Sequence, residues 1–433
     1  MHESGEVDFS VRQLTRVEGE GRLSLTVRGG EVTQARLEIF EAPRYFERLV
    51  VGRTPDEVID IVARICGICP VAYQMSAVHA FEHLFDVNID PEVRRLRRLF
   101  YCGEWIESHA LHIYLLHAPD FLGYPSAVEL AADHPEAVER GLRLKRLGNR
   151  IVAILGGRPI HPVSVRVGGF SRAPRRADLE ELRQALPQAI ADAQETVRWA
   201  ASLEPPVYER QARLVALRHP AEYPMNDGRI VSSDGLNIDP PAWPDAFDER
   251  QVAWSNALQA VARDGSPYLL GPTSRVALAG DTLHPLAAEA LRATGLGGEL
   301  AANVFRSIVA RAVELLHALA EAADIVDAYA EPGEHLAAWQ PRPGVAAWAT
   351  EAPRGLLFHR YEIDGDGLVS RAQIVPPTSQ NQAAIEHDLR LFAPSVLELP
   401  HAEATHRLEQ LIRSYDPCIS CATHFLDLHV ERT

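Results

Sequence analysis

Two Cys-x-x-Cys pairs stand near opposite ends of this sequence: Cys66-Gly67-Ile68-Cys69 and Cys418-Ile419-Ser420-Cys421. Two thiolates at that spacing can share one metal ion, and two such pairs make a four-sulfur site. They use four of the five cysteines. Nearly the whole chain separates them, so the fold must bring head and tail together. Three chemistries compete. Zinc ribbons hold their pairs roughly 15–20 residues apart, far less than here. A thioredoxin-like redox pair would explain one motif but not two, and the flanking pattern is not βαβ. Soft sulfur donors otherwise select zinc, copper(I), iron–sulfur centres or thiophilic metals such as nickel, and a catalytic centre with four thiolates accounts for both motifs.

The surroundings prepare these thiols. Cys69 precedes Pro70, so it opens a helix; Asp416-Pro417 reads as N-cap and first helical residue, with Cys418 in the first turn. Helix N-termini lower thiol pKa and favour thiolate. The lone fifth cysteine, Cys102, reads as a buried structural thiol. His109 and His112, three apart on a helical stretch, read as core or surface histidines rather than ligands.

The elements that must position the thiols are mostly helices. Leu23, Leu25 and Val27 alternate with polar residues, Gly29-Gly30 supplies a turn, and Leu37 and Ile39 follow, which predicts a hairpin over 21–40. Thr54-Pro55-Asp56-Glu57 is a capping box. Pro70 opens a helix to about Phe85, and Asp90-Pro91-Glu92 caps a long one. Its apolar stripe is Val93, Leu96, Phe100, Ile106, Ala110 and Ile113. Further helices are predicted over about 135–155, 177–203, 284–295, 299–328 and 402–415. The fold class is therefore α+β and predominantly helical. A long central helix bundle joins a small N-terminal antiparallel sheet, and the metal site is built from both chain ends. The 433 residues read as one domain, β-rich over 1–42 and loop-rich over 204–250.

A net charge of −16 argues against a nucleic-acid partner, which would need a basic face. No run of about 18 apolar residues suggests a membrane span. Met1 to Glu6 carries no apolar core of a secretory signal, and five cysteines in a chain of this length fit a reducing cytosol.

With these motifs in hand, the chain resembles the nickel–iron hydrogenase large subunit, in its soluble NAD(P)-linked or sulfhydrogenase-like branch. Arg64-Ile65-Cys66-Gly67-Ile68-Cys69 and Asp416-Pro417-Cys418-Ile419-Ser420-Cys421-Ala422-Thr423-His424 are similar to that family's two signature motifs. Five further segments occur in the family's order: Thr15 to Gly19, Phe46-Glu47 with Gly52-Arg53, Gly156 to Pro162 ending in Gly168-Gly169, Glu351 to Gly355, and Pro377 to Asn381. The resemblance implies nickel held by Cys66, Cys69, Cys418 and Cys421, with Cys66 and Cys418 terminal. It implies that Cys69 and Cys421 bridge to an iron carrying carbon monoxide and cyanide, and that hydrogen is split heterolytically and reversibly.

The same resemblance assigns the other residues. Glu18 becomes the first proton-relay carboxylate, accepting from Cys418. Arg354 becomes the guanidinium over the open metal position. Pro377 and Thr378 line the cyanide, and Glu47 and His424 hold a magnesium ion. Taken singly, Glu18 would read as an exposed carboxylate and Arg354 as a surface residue. Tyr73 stands where the family's histidine usually follows the first motif, and Glu20 replaces another. No Gly-rich dinucleotide loop is present, and the paired cysteines are committed. The resemblance thus implies an iron–sulfur small subunit, flavin- and NAD(P)-binding diaphorase-type subunits, and a cytoplasmic location. It also implies a maturation protease removing residues 425–433 after His424. The alternatives are a hydrogen sensor, which usually lacks such a tail, a complex I quinone-site subunit, which lacks the four cysteines, and a zinc-stabilised helical protein.

Overall fold

A computed structural model describes residues 6–28 and 31–423. The Gly29-Gly30 turn, His424 and residues 425–433 lie outside the described residues.

The molecule is organised around the Pro91–Leu111 helix, whose residues from Leu96 to Ala110 are all buried. Asp90 starts it by accepting the Glu92 N–H at 2.7 Å, with Pro91 in the first turn. A π-helical turn, His112–His117, carries it into Ala118–Leu122, and Gly123 ends it at φ 76°. The helices Pro135–Gly156 and Ser307–Ala328 pack on it, and Glu180–Ser202 packs on the latter. Gly148 lets the Pro135–Gly156 helix approach closely. A Cβ there would lie 2.5 Å from the Glu107 backbone nitrogen and 2.6 Å from the Gly103 oxygen.

The predicted helices form, with shifted ends. Pro55–Val62 has its reciprocal Thr54–Glu57 cap, and Pro70–Phe85 starts and stops as expected. The helix expected from 299 begins only at Ser307. Asn303 accepts the Phe305 N–H at 2.9 Å and a single 3₁₀ turn, Val304–Arg306, intervenes. The stretch from 177 opens as a 3₁₀ turn, Arg176–Leu179, before Glu180–Ser202.

The predicted N-terminal hairpin supplies the central strand and one edge of a three-stranded antiparallel sheet, Glu6–Val11, Gly21–Arg28 and Glu31–Ile39. A second three-stranded antiparallel sheet, Gly344–Ala352, Gly355–Ile363 and Val369–Val375, leads straight into the Pro377–Phe392 helix. Ala352 pairs with Gly355, so Pro353 and Arg354 alone form the turn. Residues 204–250 hold short strands, Val215–Arg218, Arg229–Ser232 and Phe247–Arg250. Val215, Leu217, Ile230, Trp243 and Phe247 from this stretch share a small core with Phe358 and Val375 of the second sheet. Among the described residues no helix is long and apolar enough to cross a membrane.

Candidate metal centre

The two ends of the described chain meet. Glu18 and Cys418 form a parallel bridge, and the Ile419 N–H donates to the Glu18 carbonyl at 2.9 Å. Arg44 fastens the same region: its backbone N–H reaches Thr423 O at 2.6 Å, and its guanidinium reaches Ser420 O and, at 2.7 Å, Ile65 O. The cation thus touches both cysteine loops.

The result is a sulfur quartet. The sulfurs of Cys66, Cys69, Cys418 and Cys421 all lie within 4.8 Å of one another, and all four residues are buried and free of disulfides. Cys66 Sγ is 3.7 Å from Cys418 Sγ, Cys69 Sγ 3.8 Å from Cys421 Sγ, and Cys418 Sγ 2.7 Å from Cys421 Sγ. Cys69 caps the Pro70–Phe85 helix, as its place before Pro70 predicts. The second motif differs from expectation. Asp416 turns the chain at φ 55°, and Cys418 is itself the cap of the single turn Ile419–Ala422 rather than a residue inside it. Cys418 has extended backbone angles (φ −103°, ψ 90°), and its N–H, which no helix would use, goes to Thr378 Oγ1 at 2.9 Å.

Nor are all four thiols prepared as thiolates. Burial pushes Cys69, Cys418 and Cys421 up, and only Cys66 falls below its ordinary value. Burial opposes its charge too, but hydrogen bonding from Cys418, Cys421 and Cys69 and the Arg354 cation outweigh it. The Ile68 and Cys69 N–H groups also point to Cys66 Sγ, at 3.3 and 3.1 Å. Four sulfurs this close cannot all ionise without a multivalent cation among them.

The helix dipole is engaged elsewhere. Glu104 of the central helix accepts the Val71 N–H at 2.6 Å and the Ala72 N–H at 3.2 Å, occupying the first turn of the cysteine-bearing helix. Sequence reading missed Glu104; its one signal is an acidic residue amid the apolar positions of the central helix.

Around the sulfurs, Glu18 Oε2 accepts from Cys418 Sγ at 3.0 Å and from the Ser420 N–H at 3.1 Å. Arg354 is buried, not on the surface. Its Nε donates to Asp416 O at 2.8 Å and its Nη2 to Asp416 Oδ1 at 3.0 Å, while Nη1 has no hydrogen-bond partner. Burial opposes its charge, but Asp416 and the sulfurs of Cys418, Cys69 and Cys66 overcome that and raise its pKa. Asp416 is therefore a second group that sequence reading left as a cap. Pro377 and Thr378 are the first two residues of their helix, both buried. Tyr73 is fully buried, its ring 5.6 Å from that of His359, and its hydroxyl lacks a hydrogen-bond partner.

Glu47 is not part of the quartet. It accepts the Ile374 N–H at 2.7 Å, and burial, with Glu249 nearby, pushes its carboxyl up to about 8. Burial likewise raises Glu249 to about 7. Its expected co-ligand His424 lies outside the described residues. His109 lies 3.0 Å from Glu314, and His112 Nε2 pairs with Arg413 O at 2.7 Å, so both serve the helical core. Cys102 is buried in that core.

A sulfur quartet on a helix-rich α+β scaffold of this form defines the hydrogenase large-subunit class, and comparison makes the assignment specific. The family model for nickel-dependent hydrogenase matches residues 44–141 and 264–424. The chain is 34% identical to the alpha chain of sulfhydrogenase 2 from Pyrococcus furiosus, over 96% of this chain and 98% of that one. It is 29% identical to a chain of the F420-non-reducing hydrogenase from Methanothermobacter marburgensis, over 97% and 95%. The crystal structure of an NAD+-reducing NiFe-hydrogenase in the H2-reduced state superposes with a TM-score of 0.85. The two are 27% identical over 96% of this chain and 99% of that one. The chain belongs to the nickel-dependent hydrogenases, oxidoreductases acting on H2.

Proposed function

We propose that this chain is the catalytic large subunit of a nickel–iron hydrogenase of the multisubunit, NAD(P)-linked type. The carrying observation is four buried sulfurs within 4.8 Å of one another, with a carboxylate 3.0 Å from one of them. The donor set fits nickel and iron: soft, tightly clustered, and short of negative charge until a cation arrives. Cys66, Cys69, Cys418 and Cys421 would hold the nickel, with Cys69 and Cys421 shared with an iron carrying carbon monoxide and cyanide. When bound, the metal pair supplies the site at which H2 is cleaved heterolytically.

The chain's own groups then act in sequence. Cys418 Sγ is the atom from which a proton leaves, and Glu18 Oε2 receives it. The Ser420 N–H holds that same oxygen in place beside the thiol. Arg354, pinned at Asp416, keeps one guanidinium nitrogen free beside the sulfurs, a fixed cation that favours negative charge developing there. Thr378 accepts from Cys418 N–H through its oxygen and so retains its own O–H, which, beside Pro377, would be the donor to a cyanide nitrogen. Glu47, with His424, is assigned to magnesium; a cation would relieve the burial that keeps its carboxyl protonated.

Electrons would pass to an iron–sulfur small subunit, then on to a flavin- and NAD(P)-binding diaphorase-type assembly in the cytoplasm. The likeness to an NAD+-reducing enzyme supports this reading. A maturation protease acting after His424 completes the expected partners. Metal analysis with infrared spectroscopy on protein matured in its host tests the core of the proposal. Nickel and iron in near-equal amounts, with carbon monoxide and cyanide bands, are expected. Zinc alone, without those bands, overturns it.

A further inference from the structure

Arg275 lies in the Pro272–Ala279 helix and is fully buried. Its guanidinium uses its whole donor inventory. Nε and Nη2 each reach a Glu314 carboxylate oxygen at 2.7 Å, and Nη1 reaches Glu351 Oε2 at 2.8 Å. The two remaining N–H groups go to backbone carbonyls, Ala352 O and Pro353 O, both at 2.9 Å. The Trp105 ring lies under the cation, 4.4 Å from its centroid.

Those two carbonyls belong to the residues immediately before Arg354, at the two-residue turn between the strands. The two carboxylates are themselves tied down. Glu314 also takes the Tyr223 hydroxyl at 2.7 Å, and Glu351 takes the Leu217 N–H at 2.7 Å. From the other side, Gly271 (φ 105°) presses on the same turn, so close that a Cβ would stand 2.9 Å from Arg354 O. The Arg354 side chain is thus fixed at its tip by Asp416 and at its root by this clamp.

We infer that Arg275 is a positioning residue for Arg354: by gripping the Ala352 and Pro353 carbonyls it sets where the Arg354 guanidinium stands above the sulfur quartet. This rests on the functional reading of Arg354 given above. A displacement of about 1 Å at a reacting centre can cost on the order of 100-fold in rate. Lysine keeps the charge at 275 but cannot bridge two carboxylates and two carbonyls at once.

Arg275→Lys, Arg354→Lys and the double variant, matured in the host, carry the test. Arg275→Lys is expected to retain nickel and iron at wild-type levels and to lower kcat for hydrogen oxidation about 10- to 100-fold. It should also speed amide hydrogen exchange in the peptide over 350–356. In the Arg354→Lys background the same change should cost less than about two-fold, because the group it positions is already altered. A purely structural role would multiply the two losses instead, and that result overturns the inference, as does wild-type kcat and exchange in Arg275→Lys. Should Arg275→Lys fail to fold, Glu351→Gln loosens one anchor and keeps the other. Faster 350–356 exchange with a lower kcat is then expected, and no change in either overturns the inference. If Arg354→Lys itself is fully active, the underlying reading of Arg354 fails, not the clamp.

Discussion

The Cys418 thiol donates to Glu18 Oε2 at 3.0 Å, across the parallel bridge that joins residues from the two ends of the described chain. Glu18→Gln keeps the shape and the Ser420 contact but removes the proposed proton acceptor. Hydrogen-oxidation turnover should fall about 10²- to 10⁴-fold, the range for losing a general base. Metal content by elemental analysis should stay at the wild-type level. Loss of nickel together with activity would show that Glu18 builds the site instead of serving its chemistry.

Glu104 satisfies two buried N–H groups of the helix that carries Cys69. Glu104→Ala strands both. The metal-free chain should lose about 2–4 kcal/mol in denaturant unfolding, from two desolvated donors left unpaired. Burial raises this carboxyl well above its usual range, so Glu104→Gln, neutral and still an acceptor, should cost less than the alanine variant.

Glu107 pairs with Lys145, the one lysine in the sequence, at 3.0 Å. Burial lifts its carboxyl from 4.5 to about 7 despite the lysine. The folded state therefore holds a proton that the unfolded state releases. Its contribution to stability is fully present below pH 4.5 and is lost as pH rises through 7. The loss is up to about 3 kcal/mol for a shift of this size. Unfolding free energy measured from about pH 4.5 to 8 should flatten in Glu107→Gln. In Lys145→Met the decline should extend to higher pH, because the group that lowers the carboxyl is gone.

The Tyr73 hydroxyl is buried with no hydrogen-bond partner, and its ring packs by His359. Tyr73→Phe removes a desolvated polar atom and little else. The metal-free protein should gain about 1 kcal/mol in thermal or denaturant unfolding. A loss of stability would mean that the hydroxyl is bonded within the sulfur cluster.

The helices were legible because their signals are local. The Thr54–Glu57 box, Pro70 and Asp90-Pro91 each mark a start that the fold uses. The second sheet left no such mark. Residues 349–352 and 355–359 are all buried, so no polar face alternates with an apolar one. The quartet was legible from spacing and from resemblance, since sulfur pairs declare themselves. Asp416, Glu104 and Arg275 were not: each acts through a partner far along the chain, respectively Arg354, Val71 and Pro353. The pattern around an isolated charged residue does not reveal which distant group it grips.

Arg44 touches Ile65 O in one cysteine loop and Ser420 O and Thr423 O in the other. Such contacts span most of the polypeptide, and closing so long a loop is slow compared with forming the helices in between. The four-sulfur site therefore exists only once the second pair has docked. A cation delivered before that moment meets two sulfurs; one delivered after it meets a closed, buried chamber. Access of a cation to all four sulfurs is therefore tied to how the tail meets Glu18 and Arg44.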